Sequence, residues 1–333
     1  MKETATLALP DERLFFLVGR GRSGTELFRA ILDAHQGISV APEALFILNL
    51  ARAYRRRRWN EQRVQRFAHH LFLDDRMRLW DVTRESLEAT WNALPSDATF
   101  ARRCAEVYEA HARANGKSEG CLLGDKNPTF SLFVPELMEL FPRAKFVHVV
   151  RDYRDNVLSH RNVPFDLNNI AALAYRWKRY NGMILAASER APERFHRVRY
   201  EDLVQSPVPV MERLCNFLGV QSSEAMLRAR AEDDPSAPAW HQHRRRPVDA
   251  DLAGRWQGSF SPKDVAVLDR ICQPLGCQLG YTPATAESSH AWQSGIALGW
   301  AMTQSERLLF RFPVAAQALI LRAYRHLTGS IVR

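Results

Sequence analysis

The chain has 333 residues, 46% of them apolar and 10% aromatic, and a formal net charge of +9. That composition supplies a substantial core and excludes global disorder; the length allows two average domains or one large α/β domain, and no linker-like break forces a split. The charge implies attraction to anions, whether nucleic acid, an anionic membrane or a highly charged small molecule, without choosing among them.

Taken in chain order, residues 1 to 13 hold no apolar h-region, so no secretory signal is visible. The five cysteines, Cys104, Cys121, Cys215, Cys272 and Cys277, are odd in number and scattered, which gives neither a disulfide framework nor a zinc site. A reducing, cytoplasmic setting is the expectation.

The apolar run from Leu14 to Val18 ends in the glycine-rich turn Gly19 to Gly24, behind which Leu27, Phe28, Ile31 and Leu32 recur at helical spacing. Strand, loop and helix in that order aim backbone N–H groups and a helix N-terminus at one point, a cradle for phosphate or sulfate. Arg22, Ser23 and Thr25 add donors, and Gly21 and Gly24 let the backbone approach closely. Gly19 to Gly24 matches the first half of G-x-x-x-x-G-K-[ST], but Thr25 and Glu26 stand where the lysine and the magnesium-binding hydroxyl belong. A carboxylate there repels a triphosphate, so the loop reads as an anion cradle charged by Arg22; an ordinary tight turn is the plain alternative.

Gly37 to Pro42 reads as a short extended return. Glu43 opens an apolar stretch, Ala44 to Ala51, and the pattern from Tyr54 to about Asn115 is helical, with Arg55 to Arg58 expected as a solvated helix face. A second buried strand, Cys121 to Gly124, ends in Asp125-Lys126-Asn127-Pro128, and a helix is expected over Ser131 to Leu140. Lys145 to Val150 is a third strand running into Arg151-Asp152-Tyr153-Arg154-Asp155 at a helix start; His196 to Arg199 is a fourth, followed by Tyr200. Strands alternating with helices predict a parallel sheet covered on both faces, with ligands at the carboxyl ends of the strands. Gly19 to Thr25, Lys126, Arg151 and Tyr200 all fall just past strand ends and are expected to share one crevice.

Residues 231 to 258 are rich in proline, histidine and arginine and read as a long functional loop. Helical pattern resumes at Pro262 and fades near Pro283. The tail from His290 mixes Trp292, Trp300, Phe310 and Phe312 with arginines; its longest apolar run, Phe312 to Leu321, is about half of the roughly 20 residues that span a bilayer. Docking on the domain is expected, with an interfacial membrane helix as the alternative. The organisation predicted is one domain over residues 1–285, with a helical insert at about 51–116 after the first βα unit, and an amphipathic tail over 286–333.

Four ordered segments from about Phe15 to Tyr281 resemble sulfotransferases that use 3′-phosphoadenylyl sulfate, nearest the tyrosylprotein sulfotransferase branch. The resemblance implies a P-loop-like sheet, a metal-independent sulfuryl transfer to a hydroxyl-bearing acceptor, and no nucleic-acid partner. Arg22, Ser23, Gly24 and Thr25 resemble the 5′-phosphosulfate loop, while Glu26 departs from the family's usual threonine. Glu43, 21 residues beyond Arg22, stands where similar enzymes place a catalytic base. Lys126 in Gly124-Asp125-Lys126-Asn127-Pro128 is similar to the lysine that neutralises the departing bridging oxygen.

Arg151 and Ser159 resemble the 3′-phosphate site; a basic residue expected at Val163 is missing, and Arg161 is the substitute at hand. Tyr200 resembles a nucleotide-contacting tyrosine. Arg246 and Arg255 stand where the family has lysines in its cofactor-closing loop, and the family's transition-state serine falls near Trp240, where His241 and His243 are the neighbours. The family's disulfide cysteines and amino-terminal anchor have no counterpart here. An ATP-dependent kinase and a non-catalytic nucleotide-binding module remain the alternatives; the acceptor, whether tyrosine, glycan, lipid-linked sugar or small phenol, stays open.

Overall fold

A computed structural model describes residues 9–56, 58–161, 163, 166, 168–228, 253–285 and 293–327, with side chains of the last helix described as far as residue 323. Arg246, Trp240, His241 and His243, and the rest of the expected loop up to residue 252, lie outside the described residues.

Five strands form one parallel sheet: β1 (Leu14–Val18), β2 (Ile38–Ala41), β3 (Leu122–Lys126), β4 (Lys145–Val150) and β5 (Phe195–Arg199), in the order β2-β3-β1-β4-β5. Every residue of β1 and β2 is buried, which is why β1 runs apolar without alternation, while β2 buries Ser39 among apolar neighbours. Leu14, Phe16 and Val18 join the core on one face, and Phe15 and Leu17 join the core on the other. The register sets Leu17 beside Lys126 of β3 and beside Val147 of β4.

Helix α1 (Thr25–Asp33) follows the loop after β1 and buries Phe28, Ile31 and Leu32 against the sheet. Between β2 and β3 lie α2 (Phe46–Tyr54), α3 (Glu61–Leu71), α4 (Arg84–Ala93) and α5 (Phe100–Ala114). Asn60, Thr83 and Thr99 cap the last three with side-chain acceptors. The helical insert therefore follows the second strand and begins at Phe46, earlier than the sequence pattern suggests, because α2 leads straight out of the apolar stretch behind Glu43. Helix α2 stops at Tyr54, so Arg55 and Arg56 stand in an exposed turn past its end and not on a helix face.

Helix α6 (Val134–Leu140) is separated from β3 by a 3₁₀ turn, Pro128–Leu132, where one continuous helix was expected. Pro128 opens that turn and Phe133 breaks it from α6. After β4 come α7 (Tyr153–Arg161) and the long α8 (Ile170–Ser188); after β5 come α9 (Tyr200–Gln205), α10 (Pro207–Leu218) and α11 (Glu224–Arg228). Helices α12 (Pro262–Cys272) and α13 (Leu275–Gln278) pack with α7 and α8 in a third apolar cluster around Tyr153, Trp177 and Tyr281.

The tail forms α14 (Gln293–Leu309) and α15 (Val314–Leu327). Helix α14 lies along α8 so tightly that a Cβ on Gly299 would stand 2.7 Å from the Ala172 carbonyl oxygen. Glu306 pairs with Arg176 and accepts from Tyr180, Arg307 donates 2.7 Å to the Leu132 carbonyl, and Phe310 meets Phe133 edge-on at 5.1 Å. Docking of α14 on the domain is therefore what the chain adopts.

Candidate active site

Each strand hands the site one residue at its carboxyl end. Arg22 follows β1, Glu43 follows β2, Lys126 ends β3, Arg151 follows β4 and Tyr200 opens α9 behind β5. The connections part between the parallel neighbours β1 and β4: the chain leaves β1 toward β2 on one edge and leaves β4 toward β5 on the other. Diverging connections open a crevice at such a point, where ligands of open α/β sheets bind.

The loop after β1 is held in an unusual shape. Arg22 takes φ +64, a left-handed conformation costly for a side chain with a Cβ, and Gly24 takes φ +88. A Cβ on Gly24 would come within 2.3 Å of the Tyr200 ring, so glycine is needed both for backbone shape and for that close approach. Asn156 of α7 donates to the Gly21 carbonyl at 2.8 Å and to Ser23 Oγ at 3.0 Å, and Ser131 Oγ receives the Gly19 N–H at 2.8 Å. Ser23 and Thr25 are buried under this lattice.

The loop and the expected 3′-phosphate residues meet. Arg22 Nε donates to Ser159 Oγ at 3.1 Å, Arg151 reaches the Arg22 carbonyl at 3.5 Å, and the Arg151 guanidinium lies over the Tyr200 ring at 4.5 Å. Arg22, Ser23, Gly24, Arg151, Ser159 and Tyr200 thus form one cluster, with Thr25 at the first turn of α1 beside it. Arg255 belongs to a turn clipped to α7 by Asp155, whose carboxylate accepts from the backbone of Gly254 at 2.7 Å and of Trp256 at 2.8 Å. Its own side chain is exposed. Arg161 bonds Asn168 at 3.0 Å and lies over Phe260, while Val163 is buried.

On the other side of β1, Lys126 Nζ is buried between two carboxylates: it donates to Glu43 Oε1 and to Glu26 Oε2, the latter at 2.6 Å. Arg76, from the insert, stands 3.8 Å from Glu43 Oε2, and Arg29 Nε bonds the second oxygen of Glu26 at 2.7 Å. Burial pushes the Glu43 carboxyl up, but Lys126 and Arg76 outweigh it and hold Glu43 below the usual carboxylate value. Burial likewise opposes the Lys126 charge, and Glu26 and then Glu43 raise it above the ordinary lysine value. Beneath them Asp125 is fully buried and accepts from Tyr108 Oη; burial pushes its carboxyl up to about 8.

Asn156, Ser131 and Arg76 went unrecognised in the sequence. Asn156 had a signal, since it lies on the first turns of the helix that also carries Ser159, whereas Ser131 and Arg76 reach the site only through tertiary packing.

A fixed cation beside a paired carboxylate, next to a glycine-rich loop at the switch point of a parallel sheet, is an arrangement suited to a group-transfer enzyme. Residues 15–224 match the model of the sulfotransferase family, and the chain belongs to that family. It is 26% identical over 287 residues to protein-tyrosine sulfotransferase 1 of Danio rerio, covering 82% of this chain and 73% of that one. It is 28% identical over 284 residues to protein-tyrosine sulfotransferase A of Caenorhabditis elegans, covering 80% and 67%. Among solved structures, the sulfotransferase domain from the Synechococcus PCC 7002 olefin synthase superposes with a TM-score of 0.56 at 24% identity, covering 81% of this chain and 95% of that domain, which supports the fold. The protein is a sulfuryl-transferring enzyme near the protein-tyrosine sulfotransferase branch.

Proposed function

We propose that the donor is 3′-phosphoadenylyl sulfate, with the 5′-phosphosulfate in the Arg22 to Thr25 loop and the 3′-phosphate between Arg151 and Ser159. Tyr200 and the segment carrying Arg246 and Arg255 complete the nucleotide site. The acceptor oxygen attacks sulfur and gives its proton to Glu43; the bond from sulfur to the bridging oxygen breaks, and its electron pair stays on the departing adenosine 3′,5′-bisphosphate. Lys126 and Arg22 offset the charge that gathers on that oxygen. The observation that carries this reading is the pairing of Glu43 with Lys126, 83 residues apart in sequence, at the ends of neighbouring strands beside the anion loop.

A tyrosyl hydroxyl is the favoured acceptor, on the names of the relatives, which are protein-tyrosine sulfotransferases. Titration calorimetry tests the donor: the 3′,5′-bisphosphate should bind about 10-fold to 100-fold tighter than 5′-AMP, as a charge-assisted bond of roughly 1.5–3 kcal/mol requires. Equal affinities would remove the 3′-phosphate site. A panel of tyrosyl peptide, small phenol, glycan and hydroxylated lipid with labelled donor then identifies the acceptor.

We further infer a reducing, cytoplasmic setting, supported by five unpaired cysteines, and contact of the tail with an anionic membrane surface. From Gln293 to Ser305 α14 carries no charged residue, and Trp300, Leu308, Phe312 and Leu319 are 47–66% exposed. Arg52 bonds the Arg311 carbonyl beside Phe312 and leads toward exposed Arg55, Arg56 and Arg58. An apolar edge with a basic collar suits the interface of an anionic bilayer.

A further inference from the structure

Glu26 stands at the second position of α1, directly behind the loop proposed to hold the anionic donor, and a carboxylate there opposes donor binding unless it does something else. Its oxygens are both engaged: Oε2 on Lys126 at 2.6 Å, Oε1 on Arg29 at 2.7 Å. Glu43, the other carboxylate on Lys126, is the more exposed of the two. Its side chain is 37% exposed against 20% for Glu26, and its second oxygen has Arg76 only at 3.8 Å.

The two carboxylates cannot serve Lys126 equally through a reaction cycle in which Glu43 is the base, the reading on which this inference rests. Once Glu43 accepts the acceptor proton it is neutral, and an ammonium 6% exposed would then have no counter-ion from that side. A buried, unpaired cation is strongly disfavoured and sheds its proton. Without Glu26, Lys126 would lose its charge at the step in which that charge is needed on the bridging oxygen. We propose that Glu26 is a positioning residue for Lys126: it keeps the ammonium charged and aimed into the cleft while Glu43 exchanges its bond to Lys126 for the acceptor hydroxyl. Of three ammonium hydrogens, one stays on Glu26, one is released by Glu43, and one remains for the bridging oxygen. Arg29 holds Glu26 in place and offsets its charge toward the donor. The order of effects on Lys126 agrees, since among the charges raising it Glu26 outranks Glu43.

The chain has six lysines, so protein labelled with ¹³C-lysine gives few side-chain signals, and the Lys126 Cε resonance is assigned by its loss in Lys126→Arg. Glu43→Gln mimics the neutral base. In that variant Lys126 should still titrate above the exposed Lys263. In Glu26→Gln/Glu43→Gln its midpoint should fall below that of Lys263, by roughly one unit or more. A double variant titrating like Glu43→Gln overturns the proposal. Should the double variant not fold, Glu26→Gln alone decides: its Lys126 midpoint falls at least as far as that of Glu43→Gln if the proposal holds, and stays at the wild-type value if it does not. A role for Glu26 confined to supporting α1 would lower Tm and leave the midpoint in place. Release of adenosine 3′,5′-bisphosphate from the donor, with water as acceptor, separates this inference from the reading beneath it. Undiminished release by Glu43→Gln removes Glu43 as base whatever the lysine does, whereas lost release with an unmoved lysine removes only the role of Glu26.

Discussion

Glu43 is legible as a functional group because its environment does two opposed things. Burial disfavours its charge, and Lys126 and Arg76 restore it, so the carboxylate stays ionised below the usual range. Activity that requires it as a base should persist to mildly acidic pH and fall only below the ordinary carboxylate value. Glu43→Gln should fold and bind the bisphosphate normally while kcat drops about 10²- to 10⁴-fold, checked by single-turnover assay with labelled donor. Asp125 works the other way. Its folded value near 8 lies above the unfolded one, so the stability it contributes is present below pH 4 and is lost as pH rises toward 8. Asp125→Asn removes that loss, and thermal melts from pH 5 to 9 should show the variant gaining on wild type with rising pH, by up to a few kcal/mol. A constant offset would mean that Asp125 is ionised throughout.

At the scale of elements, α7 and α14 matter most. Helix α7 braces the loop after β1 through Asn156 and Ser159 and clips the Gly254 to Trp256 turn through Asp155, so one helix ties that loop to the turn carrying Arg255. Asn156→Ala should weaken bisphosphate binding about 10-fold or more by freeing the loop, measured by calorimetry, and should also cost about 1–3 kcal/mol of stability, because a fully buried side chain gives up two hydrogen bonds. Helix α14 closes the domain from behind: Glu306 meets Arg176, which also holds Asp166, and Asp166 in turn holds Arg20 of the loop at 2.6 Å. Glu306→Ala should cost about 1–3 kcal/mol, read from urea unfolding, because the buried Arg176 and Tyr180 each lose a partner. A tail that merely hung from the domain would give no change.

Over the whole molecule, the +9 charge and the uncharged outer run of α14 point the same way. Vesicles containing phosphatidylglycerol should co-sediment with the protein at low salt and release it as ionic strength rises, while neutral phosphatidylcholine vesicles retain little. Replacing Trp300 and Phe312 by serine should weaken that binding without changing turnover on a soluble acceptor. Binding indifferent to lipid charge would leave the tail as a structural brace alone.

Local pattern carried the reading wherever the signal is contiguous. The run Leu14 to Val18, the turn behind it and the amphipathic α1 are read from one stretch, and Lys145 to Val150 is a strand by its own composition; these determined the sheet and the anion loop. The ordered segments also named Glu43, Lys126 and Arg151. What only the tertiary structure decided depends on residues far apart in the chain. Examples are the strand order that puts β3 and β4 on either side of β1, and the insert that brings Arg76 to Glu43 and Tyr108 to Asp125. The side of α14 facing the domain is another, and so is the pairing of Glu26 with Lys126, which turns an apparent misfit in the loop into a partner of the cation. Periodicity records which face of an element is apolar, but which charges meet is set by packing across the sheet.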